Sequence, residues 1–105
     1  MQDKVEYFDV ELNEMFILPV FDETSAEMLK ANHDDAIYRA MFASLVKLST
    51  RPNWEYIPCF QINDTVFEID RQGHEEHYDN CLSYFTLIEE YEICVELVAL
   101  CEHLK

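Results

Sequence analysis

A chain of 105 residues with a single glycine, Gly73, has few places where its backbone turns without steric cost. Only glycine enters the left-handed region freely, so one glycine leaves no room for the glycine-rich loops that cradle phosphates and dinucleotides. Gly73 itself is predicted to be a turn residue with φ > 0. Beyond it, from His74 to Lys105, neither glycine nor proline interrupts the chain. A continuous helix of about 30 residues would be about 45 Å long, too long for so small a chain. A break is therefore expected near Glu89 to Glu92, or else an end that projects into a partner or a second subunit.

The apolar pattern before Gly73 sets the remaining elements. Residues 4–12, KVEYFDVEL, place Val5 and Tyr7 on one parity and Phe8, Val10 and Leu12 on the other, as a strand with a one-residue bulge does. A possible turn at Asn13-Glu14 leads to MFILPVF, Met15 to Phe21, a short continuous apolar run that suits a well-buried strand, with Pro19 near an edge or end. Thr24-Ser25-Ala26-Glu27 has the spacing of a capping box with Thr24 as the cap, so a short helix is expected there, and Asn32 is expected to cap a second. In that second helix Ile37, Ala40, Met41, Ser44, Leu45 and Leu48 keep helical spacing until Thr50-Arg51-Pro52 stops it. Two β-rich runs flank Asn63-Asp64 and predict a second hairpin over 55–70. In the last segment Tyr78, Leu82, Phe85, Ile88, Val95, Val98 and Leu104 keep helical spacing and mark the expected inner face. The predicted architecture is α+β: a small antiparallel sheet of two hairpins with helices packed on one face, order ββα(α)ββα, in one domain over 1–105.

Charge separates the chain further. With 22 acids against 7 Lys and Arg, the net charge is −15, although half the residues are hydrophobic and 13% aromatic. That apolar content supports a core, unlike an acidic disordered tail. The negative field steers cationic surfaces toward the chain and repels nucleic acid and anionic membranes. Residues 36–54 hold no acid and three bases, Arg39, Lys47 and Arg51, and form a basic island between two acidic segments. These bases are read as relieving net repulsion around a core helix. Trp54 is read as closing the core, with an exposed anchor as the other option. The absence of a basic region followed by an apolar run at the start predicts a cytoplasmic protein, and no apolar stretch reaches the ~18 residues of a membrane span.

Two constellations invite chemistry. In Gly73 to Cys81, GHEEHYDNC, a helix places His74, His77 and Cys81 on one broad face, and zinc accepts both imidazole and thiolate. Zinc proteases space their histidines four apart, whereas these are three apart, so the stretch is read as a helix start with Glu75 and Glu76 in its first turn, and no metal or other cofactor is expected. Cys59, Cys81, Cys94 and Cys101 lack the paired spacing of a zinc ribbon or redox motif and are expected to be thiols, most of them buried. No nucleophile elbow or Ser-His-Asp set is present, which argues against an enzyme.

The second constellation is Glu89, Glu90, Glu92 and Glu96 with Tyr91 among them. On an unbroken helix Glu89, Glu92 and Glu96 form one stripe of carboxylates, and no lysine or arginine occurs between Arg71 and Lys105 to dilute it. A second acidic source is the first hairpin, with Asp3, Glu6, Asp9, Glu11 and Glu14, followed by Asp22 and Glu23. Proteins grip nucleic acid through cations that neutralise phosphates, and a rigid row of carboxylates satisfies the same cations. In this general character the chain resembles the anti-restriction and anti-CRISPR inhibitors of phages and the acidic immunity proteins that neutralise nucleases. The resemblance implies a non-enzymatic inhibitor of a basic protein partner, a nuclease or other nucleic-acid-binding protein, with Glu89, Glu90, Tyr91, Glu92 and Glu96 at the contact. The alternatives are an immunity protein or antitoxin that plugs a toxin, and a structural module that forms a homodimer through the C-terminal helix.

Overall fold

The computed structural model describes residues 4–104; Asp3 and Lys105 lie outside them. Seven elements follow in the order β1 (Lys4–Asp9), β2 (Glu14–Phe21), α1 (Ala26–Ser49), β3 (Tyr56–Ile62), β4 (Thr65–Asp70), α2 (His74–Leu87) and α3 (Tyr91–Leu104). Both expected hairpins form. β1 pairs with β2 in an unbroken antiparallel register from Lys4–Pro19 to Asp9–Glu14, without the expected bulge, and the chain turns over Val10–Asn13. Asp9 closes that turn by accepting from the Leu12 amide at 2.9 Å. β3 pairs with β4 through the Asn63-Asp64 turn, with the bulge here instead, between Pro58 and Phe60. The turns use asparagine where glycine is missing: Asn13 and Asn63 both sit at φ 53.

The sheet is mixed rather than antiparallel, and the reason is α1. The two short helices expected over 24–50 are one helix of 24 residues. No glycine or proline interrupts it, and Asn32, expected as a cap, bonds the Glu23 carboxylate from within the helix at 3.2 Å. The cap is Ser25, one residue after the expected Thr24, accepting from the Met28 amide. This single crossover returns the chain to the end from which β2 began, so β2 and β3 run parallel in a sheet of order β1-β2-β3-β4. They pair only at Val20–Gln61 and Phe21–Ile62, and diverge toward Met15 and Ile57.

α1 lies against β3, and α2 and α3 pack on α1 and on each other. Met41, Leu45 and Leu48 bury the expected face of α1 against Ile57, Phe85 and Leu97. Burying one such aliphatic or aromatic side chain stabilises the fold by about 1.5–3 kcal/mol. Trp54 belongs to this packing, edge-on to Phe16 at 5.7 Å, as the core-closing reading expects.

Arg71 joins the layers. Its guanidinium donates to three backbone carbonyls, Trp54 at 2.6 Å, Leu48 at 2.8 Å and Arg51 at 2.6 Å, and so caps the C-terminal end of α1 and pins the loop after it. Gly73, predicted to need φ > 0, has φ −96, and a Cβ there would meet nothing closer than 3.9 Å. It stands at the start of α2 in a conformation open to any residue.

Candidate partner-binding surface

The last segment breaks at Ile88–Glu90, overlapping the start of the window expected from its length, Glu89 to Glu92. Glu89 is in the left-handed conformation, φ 62, the Glu90 amide bonds the Phe85 carbonyl at 2.8 Å, and the Glu89 amide bonds that of Thr86 at 3.1 Å. These two bonds are the Schellman pattern that ends a helix, normally built on glycine. Here a glutamate occupies the left-handed position. With no glycine or asparagine to mark it, only the excessive length of the segment signalled the break.

The break resets the helical phase. Val95 and Val98, expected on the inner face, are 69% and 56% exposed, while Leu97 and Leu100 turn inward in their place and Leu104 is buried as expected. A spacing counted across the left-handed residue loses its phase, because one residue outside αR rotates everything after it, and of the three positions so counted in α3 only Leu104 is buried. For the same reason Glu89, Glu92 and Glu96 do not form one helical stripe: Glu89 lies in the break, and only Glu92 and Glu96 share a helix, one turn apart.

What α3 presents is a mixed face. Tyr91, 58% exposed, and Val95 and Val98 recur at i, i+4 and i+7, with exposed Glu92, Glu96 and Glu102 beside them. Glu90 is drawn aside: its Oε1 lies 3.5 Å from the Arg39 guanidinium, which also holds Asp35 at 2.8 Å. Tyr84 donates to the other Asp35 oxygen at 2.6 Å and stacks on Tyr38 with centroids 4.4 Å apart. The Tyr84 hydrogen bond, then Arg39, holds the Asp35 carboxyl below its ordinary range, and the same bond with partial burial pushes the Tyr84 hydroxyl up to about 12. The basic island thus meets the acidic segment at the start of α3.

The other island bases are also engaged internally. Lys47 and Arg51 lie 3.8 and 3.7 Å from the Glu14 carboxylate. The first hairpin, read as a second acidic surface, therefore keeps several of its acids for itself. Asp9 is 4% exposed and accepts from the Tyr56 hydroxyl at 2.7 Å, and Glu23 pairs with His33 at 2.9 Å. Burial first, then the Asp9 hydrogen bond, raises the Tyr56 hydroxyl far above its ordinary value.

GHEEHYDNC opens α2. His74 is buried with Nδ1 2.7 Å from the Arg71 carbonyl, Cys81 is fully buried, and His77 is half-exposed. Among the described residues no group of three or more His, Cys, Asp or Glu is arranged to hold a metal ion. All four cysteines are free thiols, Cys59 and Cys81 buried and Cys94 and Cys101 half-exposed. Burial pushes Cys59 and Cys81 up to about 12 each, which leaves them without nucleophilic character at neutral pH.

No known protein family, curated protein or solved structure matches the chain. Among the described residues no helix is long and apolar enough to cross a membrane.

Proposed function

We propose that the chain is a non-enzymatic inhibitor that binds the cationic surface of a nucleic-acid-handling protein, in the manner of the anti-restriction and anti-CRISPR polyanion mimics. The observation that carries this reading is the exposed face of α3 with the break before it, where carboxylates stand beside an exposed tyrosine on a segment without lysine or arginine. Glu89, Glu92 and Glu96 meet the partner's cations, Tyr91 anchors the contact, and Glu90 fixes the start of the helix against Arg39.

The test is capture of a partner from a lysate of the native host, repeated at high salt, followed by replacement of Glu89, Glu90, Glu92 and Glu96 with Gln. At about 0.2–1 kcal/mol per exposed ion pair, the three that meet the partner are together worth about 0.6–3 kcal/mol, so at least a roughly threefold loss of affinity is expected, together with a shallower salt dependence. Unchanged inhibition by the fourfold variant removes α3 from the mechanism.

An immunity protein or antitoxin is the second reading. It is favoured by Val95 and Val98, because an apolar strip suits a plug against a folded toxin more than imitation of a phosphate backbone. A toxin gene beside this one decides for it.

A further inference from the structure

The exposed strip on α3 has a second border, supplied by α2. Thr86 of α2 lies 3.4 Å from Cys94 of α3, so the side of α3 that carries Cys94 and, two turns on, Cys101 faces α2. Tyr91 and Val98 stand one turn before and one turn after Cys94, just outside that contact, with Val95 beside them, and all three are more than half exposed. On α2, Thr86, Asp79 and Glu75 recur at steps of seven and four on one side of the helix and are exposed, so Asp79 and Glu75 line the α2 edge of the strip. Glu92 and Glu96 line its other edge, on the side of α3 turned away from α2. Neither helix contains lysine or arginine, and among the described residues no lysine or arginine pairs with any of these four acids. An apolar strip is thus bordered on both sides by carboxylates that the chain leaves without a cation.

We infer that this strip receives a basic amphipathic helix of the inhibited partner, with the apolar face of that helix on Tyr91, Val95 and Val98 and its flanking lysines and arginines on the two acidic borders. The inference rests on the function proposed above and names the element of the partner that is recognised. A helix matches the strip because its side chains repeat at the same i, i+4, i+7 interval, so a single apolar stripe meets all three residues along about 10 Å of axis. Its bases then flank the stripe on either side, as the carboxylates do here. The helix forms on contact where the partner presents a disordered arginine-rich segment, since such segments fold on binding.

Other occupants satisfy only half of this surface. A second copy docked through the same face sets carboxylates against carboxylates, and an anionic membrane is repelled by both borders. An extended polycation meets the carboxylates but leaves Tyr91, Val95 and Val98 in water.

The experiment is calorimetric titration of the full chain with two synthetic peptides of the same leucine and lysine content, each long enough for about five helical turns. One carries its leucines at helical spacing and the other has the order scrambled. The patterned peptide is expected to bind at least about tenfold more tightly than the scrambled one and to gain helical circular dichroism on binding. Val95→Asp and Val98→Asp each weaken the patterned peptide at least about fivefold, and because both positions are exposed, each variant keeps the wild-type circular dichroism. Glu75→Gln with Asp79→Asn also weakens it and flattens the salt dependence, which a strip bordered by α3 alone would not show. Equal binding of the two peptides overturns the helix and leaves inhibition by charge standing. Binding of the patterned peptide that both valine variants leave intact overturns the strip as its seat. Unchanged inhibition by the fourfold glutamine variant, with the patterned peptide bound as expected, instead removes the function on which the inference rests.

Discussion

Replacing Arg71 by methionine removes the fork that ties α1 to the end of β4 while keeping most of the apolar stem. Hydrogen bonds from a charged donor are worth about 1.5–3 kcal/mol each, so the three carbonyl bonds set a gross ceiling of about 5–9 kcal/mol. The side chain is only half-buried, and water rehydrates part of what the variant frees, which brings the expected loss to about 3 kcal/mol. For 105 residues, an unfolding entropy of about 0.22 kcal/mol/K converts this to a fall in melting temperature of about 14 °C. Arg71→Lys keeps a cation at the helix C-terminus, where the dipole favours it, but a single ammonium cannot hold three separated carbonyls, so a loss of about 2 kcal/mol is expected. Urea titration and thermal melts followed by circular dichroism measure both variants. A methionine variant within about 1 kcal/mol of wild type, or a lysine variant equal to it, refutes the fork as the link between these elements.

Two other substitutions test local chemistry. Glu89→Gly relieves the left-handed strain of the Schellman turn and should stabilise the chain by about 0.5–1 kcal/mol in the same urea titration; a destabilised variant would mean that the glutamate side chain contributes more than its backbone costs. Glu68 is held above the ordinary carboxylate range by partial burial first, then by Asp9, Asp70 and Glu11. A carboxyl whose pKa is raised by folding opposes the fold once ionised, and that opposition fades as pH falls through the raised value. Glu68→Gln should therefore melt higher than wild type at pH 7, with the gap closing below about pH 4, whereas a gap independent of pH counts against this account.

Much of the local structure was legible because it rests on local signals. Both hairpins follow from apolar runs flanking asparagine turns, and the buried face of α1 follows from the spacing of Met41, Leu45 and Leu48. What escaped depended on competition between signals. Thr24 and Asn32 are both good caps in isolation, but Ser25 wins the first turn and helix propagation carries through Asn32, because adding a residue to an existing helix costs less than starting a new one. The parallel pairing of β2 with β3 follows from that continuity. At the candidate site, the residues and the break were both visible, but their relation was not. Counting glutamates across 89–96 assumes one helical phase, and the left-handed Glu89 divides it, exchanging Val95 and Val98 for Leu97 and Leu100 at the core.

The arrangement of bases gives the acidity a direction. Arg71 is spent on backbone carbonyls, Lys47 and Arg51 flank Glu14, and Arg39 holds Asp35 and Glu90. Exposed pairs of this kind contribute only about 0–1 kcal/mol each, so their larger effect is on where charge is left over. They neutralise acids around α1 and the first hairpin, and among the described residues no lysine or arginine pairs with Glu92, Glu96 or Glu102 on the outer side of α3. The Arg39–Glu90 pair lies at the junction of the two regimes and orients the helix that carries the surplus. Loosening that pair with Arg39→Gln would change little in stability but would free the start of α3. Any function that depends on presenting Tyr91, Glu92 and Glu96 as a rigid set should weaken with it.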